Sequence, residues 1–263
     1  MNGHLVQAAL LVGALAARDR PGVHPAPSRQ SGQPSGASAR ASAVLDLTGY
    51  WVAVVTEDWR WRMLTPPKGD YSGVPLNIEG RKVADQWDPA RDTAAGLQCR
   101  GYGAAGVMRQ PTRLHVTWSD DRTLRIDIDN GTQTRLLRFG DAGSGRAHTS
   151  APTWQGQSAA AWEGDAGTPV RRGTEPGDAR DLKVATTHMR AGYLRKNGVP
   201  YSAQAVLTEY FDLVPPQPNG DQWLVVTSVV DDPAYLTEAF FISTHFRREL
   251  TGSAWHPTPC TAR

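Results

Sequence analysis

The segment Arg113–Phe139, RLHVTWSDDRTLRIDIDNGTQTRLLRF, decides the fold class. Leu114, Val116 and Trp118 alternate with His115 and Thr117, and Leu124, Ile126 and Ile128 alternate with Arg125, Asp127 and Asp129. Successive side chains of a strand point to opposite faces, so this period of two describes two half-buried strands. Asn130-Gly131 joins the second of them to a third, Thr132–Phe139. An Asn-Gly pair tolerates positive φ at both central positions, which matches the twist of paired strands and marks a hairpin. Asn130-Gly131-Thr132 also reads as a glycosylation sequon, but the turn already gives the pair a structural reason.

Working outward, strand patterns recur at Gln155–Glu163, Asp181–Met189, Ala203–Val214, Gln222–Asp231 and Ala239–Arg247. Upstream, Leu47–Val55 has the aromatic and β-branched content of a strand, and Glu57–Met63 alternates Trp59, Trp61 and Met63 with Arg60 and Arg62. Pro75–Trp87 predicts the one helix, with Leu76, Gly80, Val83, Ala84 and Trp87 on one face and Asp88-Pro89 as its stop. Gln98–Gln110 reads as a small-residue loop, Gly164–Arg180 as a polar loop, and Tyr193–Tyr201 as a structured loop. The expectation is an all-β, antiparallel barrel of about nine strands with one short helix, since closing such a sheet removes its exposed edges.

The ends differ from the middle. Residues 1–17 contain the apolar run Leu5–Ala17, too short to span a bilayer but suited to a signal peptide. Residues 18–43 are rich in Pro, Ser, Gly and Ala and read as a disordered leader or flexible linker. Residues 44–263 then form a single barrel domain, expected as a periplasmic or secreted monomer with no transmembrane span. Lys and Arg number 28 against 26 Asp and Glu, which gives no electrostatic reason to expect a nucleic-acid partner. The two cysteines, Cys99 and Cys260, can pair in an oxidising compartment and staple the C-terminal tail to the domain. Neither a redox pair nor a metal-ligand spacing is present, so no cofactor and no metal are expected.

Parity along the strands selects the candidate site. On Ala203–Val214, Glu209 shares a face with Ala205, Leu207, Phe211 and Leu213. A carboxylate on the apolar side of a strand needs a cation, and Arg135, Arg138 and Arg247 lie on strands that can supply it. His188 falls on the face of Leu182, Val184 and Thr186. Ser158 brushes against a hydrolase elbow, but its surroundings read as strand.

Gly49-Tyr50-Trp51 resembles the G-x-W of lipocalins, and Thr208-Glu209-Tyr210 resembles their T-D-Y with Glu for Asp. Arg247 or Arg248 resembles the arginine that packs across the first-strand tryptophan. A broader resemblance, over Leu47–Glu249, is to an exported bacterial family of all-β proteins. It rests on Leu47–Trp51, on Cys99 with its Gly-rich loop, and on W-x-G-x-S-x-x-x-W-E at Trp154–Glu163. G-x-P-x-S at Gly198–Ser202, Glu209-Tyr210 and Asp232-Pro233 complete it. Family members often carry His where this chain has Tyr201. The resemblance implies export and a β fold, and it implies no established activity.

Together these readings give an exported lipocalin-like barrel that binds a small, largely apolar ligand through Arg135, Trp162, His188, Glu209 and Tyr210, with Tyr201 on the rim. Trp51 and Arg247 would close the seam between first and last strands. The alternatives are a barrel enzyme (isomerase, cyclase or hydrolase) using Glu209 or His188 as general acid or base, and a solid structural module of the cell envelope. Should Trp51, Trp118, Trp154, Trp162 and Trp223 together fill the interior, the binding reading fails.

Overall fold

Nine strands close into a barrel in the computed structural model, which describes residues 38–140, 151–163 and 181–262. The expected signal segment, residues 18–37 of the linker and the Gly164–Arg180 loop lie outside those residues. In chain order the elements are β1 (Gly49–Val54), α1 (Trp59–Arg62), α2 (Ile78–Asp85), α3 (Pro89–Ala94), α4 (Ala104–Val107), β2 (Arg113–Asp120), β3 (Thr123–Ile128), β4 (Gln133–Phe139), β5 (Gln157–Trp162), β6 (Asp181–Thr187), β7 (Gly192–Arg195), β8 (Val199–Tyr201), β9 (Val206–Val214), β10 (Trp223–Asp231) and β11 (Phe240–Glu249). Around the barrel they run β1-β11-β10-β9-β6-β5-β4-β3-β2, and β1 pairs with both β11 and β2. β7 and β8 form a separate hairpin.

All neighbours are antiparallel except β4 and β5, which are parallel. The expected antiparallel pairing holds around the barrel, and the one parallel pair has a topological reason. Antiparallel neighbours alternate direction, so a closed ring with an odd number of strands must contain a parallel pair. The chain between Phe139 and Gln157 is long enough to return to the starting end, which a parallel pair requires.

The Asn-Gly turn also departs in detail. Positive φ falls on Gly131 (84°) and Thr132 (49°) rather than on Asn130 and Gly131. Thr132 N–H donates to the Asp129 carbonyl, and Asn130 pairs with Thr258 of the C-terminal tail. The tail's demand for Asn130 as a bridge partner overrides the two-residue hairpin geometry.

Glu57–Met63 is not a strand. It is a helical turn followed by α1, with Trp59 and Met63 exposed and Arg62 buried. Arg62 Nε donates to the Arg109 carbonyl and Nη1 to the Val54 carbonyl. Capture of the guanidinium by backbone acceptors turns the apparent alternation inside out. The Pro75–Trp87 helix is realised as α2, capped by Asn77, whose side chain accepts from Gly80 N–H at 2.8 Å. Asp88-Pro89 ends it and also starts a second helix, with Asp88 accepting from Ala90 and Arg91 N–H and Pro89 in the first turn.

The registers place both ends of the barrel. The segments between β1 and β2, β6 and β9, and β10 and β11 all emerge at one end and carry the short helices and the β7–β8 hairpin. At the other end, residues 38–48 return over the opening. Arg40 N–H donates to the Asp121 carbonyl, Trp162 Nε1 donates to the Ala39 carbonyl, and Leu47 is buried. The last residues expected as linker are therefore part of the fold.

The bore between these ends is packed. Trp51, Leu114, Ile126, Leu137, Trp162 and Phe246 belong to one continuous core and are each at most 1% exposed. Trp118, Phe139 and Trp162 pack in series with their rings tilted by 33°, centroids 5.5 and 5.2 Å apart. At the seam, Trp51 is capped by an arginine from the last strand, as the resemblance implied, but that arginine is Arg248 and not Arg247. Trp51 and Arg248 are cross-strand partners and so share a face, whereas Arg247 pairs with Val52 and is exposed. Arg248 Nη2 also donates to the Thr48 carbonyl, which ties the segment before β1 to β11.

Candidate functional site

Glu209 meets its cation inside the bore. Arg135 Nη1 donates to Glu209 Oε1 at 2.9 Å and Nη2 donates to Oε2, with both side chains fully buried. Arg135 also reaches Thr186 Oγ1, which shares a hydrogen bond with Ser158 Oγ at 2.8 Å. Of the cations offered by parity, Arg135 is the one that lies on the inward face, with Leu137 and Phe139. Both carboxylate oxygens are thus engaged by one guanidinium, the strongest arrangement such a pair can take.

The other expected site residues do not converge there. Trp162 is in the packed bore. Tyr210 lies on the outer face of β9, where Lys183 Nζ sits 5.6 Å from its ring centroid. His188 follows β6 with φ of 56°, so the chain leaves the strand alternation before it, and Thr187 Oγ1 is 3.1 Å from its Nδ1. The inward position expected for His188 is corrected accordingly. Tyr201 lies in the cap, on β8.

It is around Tyr201 that a cavity opens. About 200 Å³ is lined by Trp87, Asp92, Arg100, Tyr193, Tyr201 and Tyr235. Asp92, from α3, accepts from Tyr193 Oη at 2.7 Å and from Arg100 Nη1 at 2.8 Å. The Arg100 guanidinium also lies over the Tyr193 ring, 5.4 Å from its centroid. Ser202, next to Tyr201, donates through N–H and Oγ to the buried Asp232 carboxylate at 2.6 and 2.7 Å. That bond joins the G-x-P-x-S and Asp-Pro turns and holds Tyr201 and Tyr235 on one wall.

Two residues that line this cavity each carry a polar atom with no protein partner. Trp87 Nε1 and Tyr201 Oη are both buried without a hydrogen bond. The Tyr201 hydroxyl is seated between glycines: a Cβ on Gly103 would stand 2.0 Å from it and one on Gly192 would stand 2.6 Å from it. This is what the small-residue loop before β2 is for at Gly103, since any side chain would displace the ring. A buried donor left unbonded costs about 1–3 kcal/mol, so a site that keeps two of them favours a ligand that accepts from them.

Burial acts on the phenols of the cap. Burial and the hydrogen bond to Asp92 push Tyr193 up to about 12, and burial with the Asp85 contact does the same for Tyr71. Burial alone raises Tyr201 further. The neutral phenol is the form the fold favours. Stability from these groups is complete below the unfolded-state value of about 10 and is lost as pH rises through the folded values. Phenolate absorbance should show Tyr71 and Tyr193 ionising near 12, with unfolding accelerating over the same range. Simultaneous ionisation of every tyrosine near pH 10, without unfolding, would contradict this.

Asp92 sits on α3, where the sequence reading has only a helix stop, and Arg100 and Tyr193 reach it from segments that share no motif with it. Asp88-Pro89 carried the signal, a cap followed by proline in the first turn. Among the described residues no group of three or more His, Cys, Asp and Glu side chains is arranged to hold a metal, and no helix is long and apolar enough to cross a membrane. Comparisons with family models, with curated proteins and with solved structures each returned no match.

Proposed function

We propose that this chain is an exported, lipocalin-like β-barrel that binds a small, largely apolar ligand, and that the ligand sits in the aromatic cleft of the cap rather than in the bore. The observation that carries this is that Trp87 and Tyr201, which line a 200 Å³ cavity, each hold a buried polar atom, Nε1 and Oη, without a protein partner. Indole and phenol rings supply apolar contact, and the two polar atoms fix the orientation of an acceptor group on the ligand. Arg100, held by Asp92, adds a positive edge to the same cleft. Export is supported by the apolar N-terminal run and by the Cys99–Cys260 disulfide, which persists in oxidising compartments.

The test is native mass spectrometry of protein purified from the periplasm, followed by titration of any retained compound against tryptophan fluorescence. Tyr201→Phe removes the hydroxyl and keeps the ring, and Trp87→Phe removes the indole N–H while leaving a smaller aromatic ring in its place. Each should weaken binding by about 3- to 10-fold. Repeated preparations without a bound compound, or a retained compound held equally by both variants, would remove the cleft as the site.

A further inference from the structure

A second cavity lies on the cap, lined by residues outside the cleft. It has a volume of about 80 Å³ and is lined by Trp61, Arg62, Arg109, Gln110, Arg195 and Lys196, among others. We infer that it is a binding site for a small oxyanion, phosphate or sulfate, free or as the terminal group of a larger molecule.

The charge arrangement is the first argument. Arg62, Arg109 and Arg195 come from α1, the segment after α4 and β7, and they are 7%, 6% and 6% exposed. Burying a guanidinium is costly unless an anion or several acceptors compensate it. Arg109 Nη2 donates to Asp58 Oδ2 at 2.5 Å. Arg195 Nη1 donates to the Ser72 carbonyl at 2.7 Å, and its guanidinium lies 4.6 Å from the Trp61 ring centroid. None of these contacts puts a carboxylate on Arg195.

The second argument is where donor capacity is left over. Arg109 Nη1 and Arg195 Nε are buried and have no hydrogen-bond partner. Both residues line the cavity, and the two cations repel each other strongly enough that burial first, and Arg109 second, pull Arg195 down to about 10. Water can accept a hydrogen bond but does not offset like charges. An oxyanion does both, and its several oxygens can accept from two guanidinium groups at once. A water needs roughly 10–15 Å³ of such space, so a cavity of this size takes a tetrahedral oxyanion group and little more. Lys196 also lines the cavity, with its Nζ donating to Tyr102 Oη and Thr261 Oγ1.

Trp61 supplies the readout. Arg60 and Arg195 both lie against its ring, 4.7 and 4.6 Å from the centroid, so an anion drawn to Arg195 changes the field on the indole. The full chain would be titrated with sodium phosphate and sodium sulfate at constant ionic strength in chloride, following fluorescence and Tm. A saturable change in both signals is expected with the oxyanions and not with chloride. Arg195→Met should weaken the response by about 10- to 100-fold, the effect of losing a charge-assisted hydrogen bond, with Arg195→Lys falling between. If Arg195→Met does not fold, the wild-type comparison of oxyanion against chloride still decides the matter. Equal responses to chloride and phosphate, or unaltered phosphate affinity in Arg195→Met, would overturn the assignment. Methyl phosphate distinguishes the sources: binding as tight as that of inorganic phosphate identifies the terminal group of a larger ligand, and binding of inorganic phosphate alone identifies the free anion.

Discussion

Arg135→Met is expected to lower the stability of the fold by about 3–5 kcal/mol. The reason is what it leaves behind. Glu209 is fully buried, and both of its oxygens accept from Arg135. Without the guanidinium, the carboxylate is either an uncompensated charge in the bore or must take up a proton to remain there. The Thr186–Ser158 hydrogen bond that extends the network would lose its anchor as well. Replacing both members, Arg135→Met with Glu209→Leu, should recover most of the loss, because apolar groups of similar volume commonly match or exceed a buried ion pair. Urea unfolding of the wild type, both single variants and the double gives the coupling energy directly. If the double variant were as unstable as Arg135→Met, the loss would come from packing rather than from a stranded charge.

The prediction bears on function as well as stability. A carboxylate clamped by one guanidinium inside a packed bore sets the register of β4 against β9 across the two intervening strands. The cavity proposed to take the ligand lies elsewhere, in a cap assembled from three separate loops. Arg135→Met with Glu209→Leu should therefore leave binding in the Trp87–Tyr201 cleft unchanged, provided the barrel retains its packing.

How far the sequence speaks depends on whether a feature is local. Parity alone placed Glu209 on an inward face, because a strand's period of two is strict once one face is buried, but it left Arg135, Arg138 and Arg247 all open as its cation. The same parity selects Arg248 rather than Arg247 for Trp51, but only when the register of β1 against β11 is known, and register is a long-range property. The closed ring implies its parallel pair as soon as the strands are counted as nine. Glu57–Met63 misleads because its alternation is genuine in composition. Acceptors more than forty residues away, at Arg109, decide which residues go inside. The cap has no single signature for the same reason. Trp87, Tyr193 and Tyr201 sit on α2's end, β7 and β8, and only the fold gathers them. The basic cavity is the extreme case, with arginines at 62, 109 and 195 brought together from segments that share no motif.

Removing the disulfide is the second large perturbation. Cys99 and Cys260 are 161 residues apart in sequence and are joined in the folded chain. In the chain-entropy model, opening a loop of that length costs about 5 kcal/mol, nearly all of it through the greater freedom of the unfolded state. The folded tail has other attachments. Thr258 N–H donates to the Asp129 carbonyl and Thr132 Oγ1 donates to the Thr258 carbonyl, each at 2.9 Å. Trp255 packs edge-on against Tyr50 and His115, which are themselves stacked at 4.2 Å. Cys99→Ser with Cys260→Ser is thus expected to unfold at much lower urea while keeping the tail docked, so that amide exchange at Thr258 in the native state changes little. The two measurements separate the mechanisms. A lowered midpoint with intact protection at Thr258 locates the effect in the unfolded chain. A lowered midpoint with lost protection would mean that the bond holds the tail directly and that its hydrogen bonds do not suffice. An unchanged midpoint would show that the unfolded chain is already constrained by residual structure that brings residues 99 and 260 together.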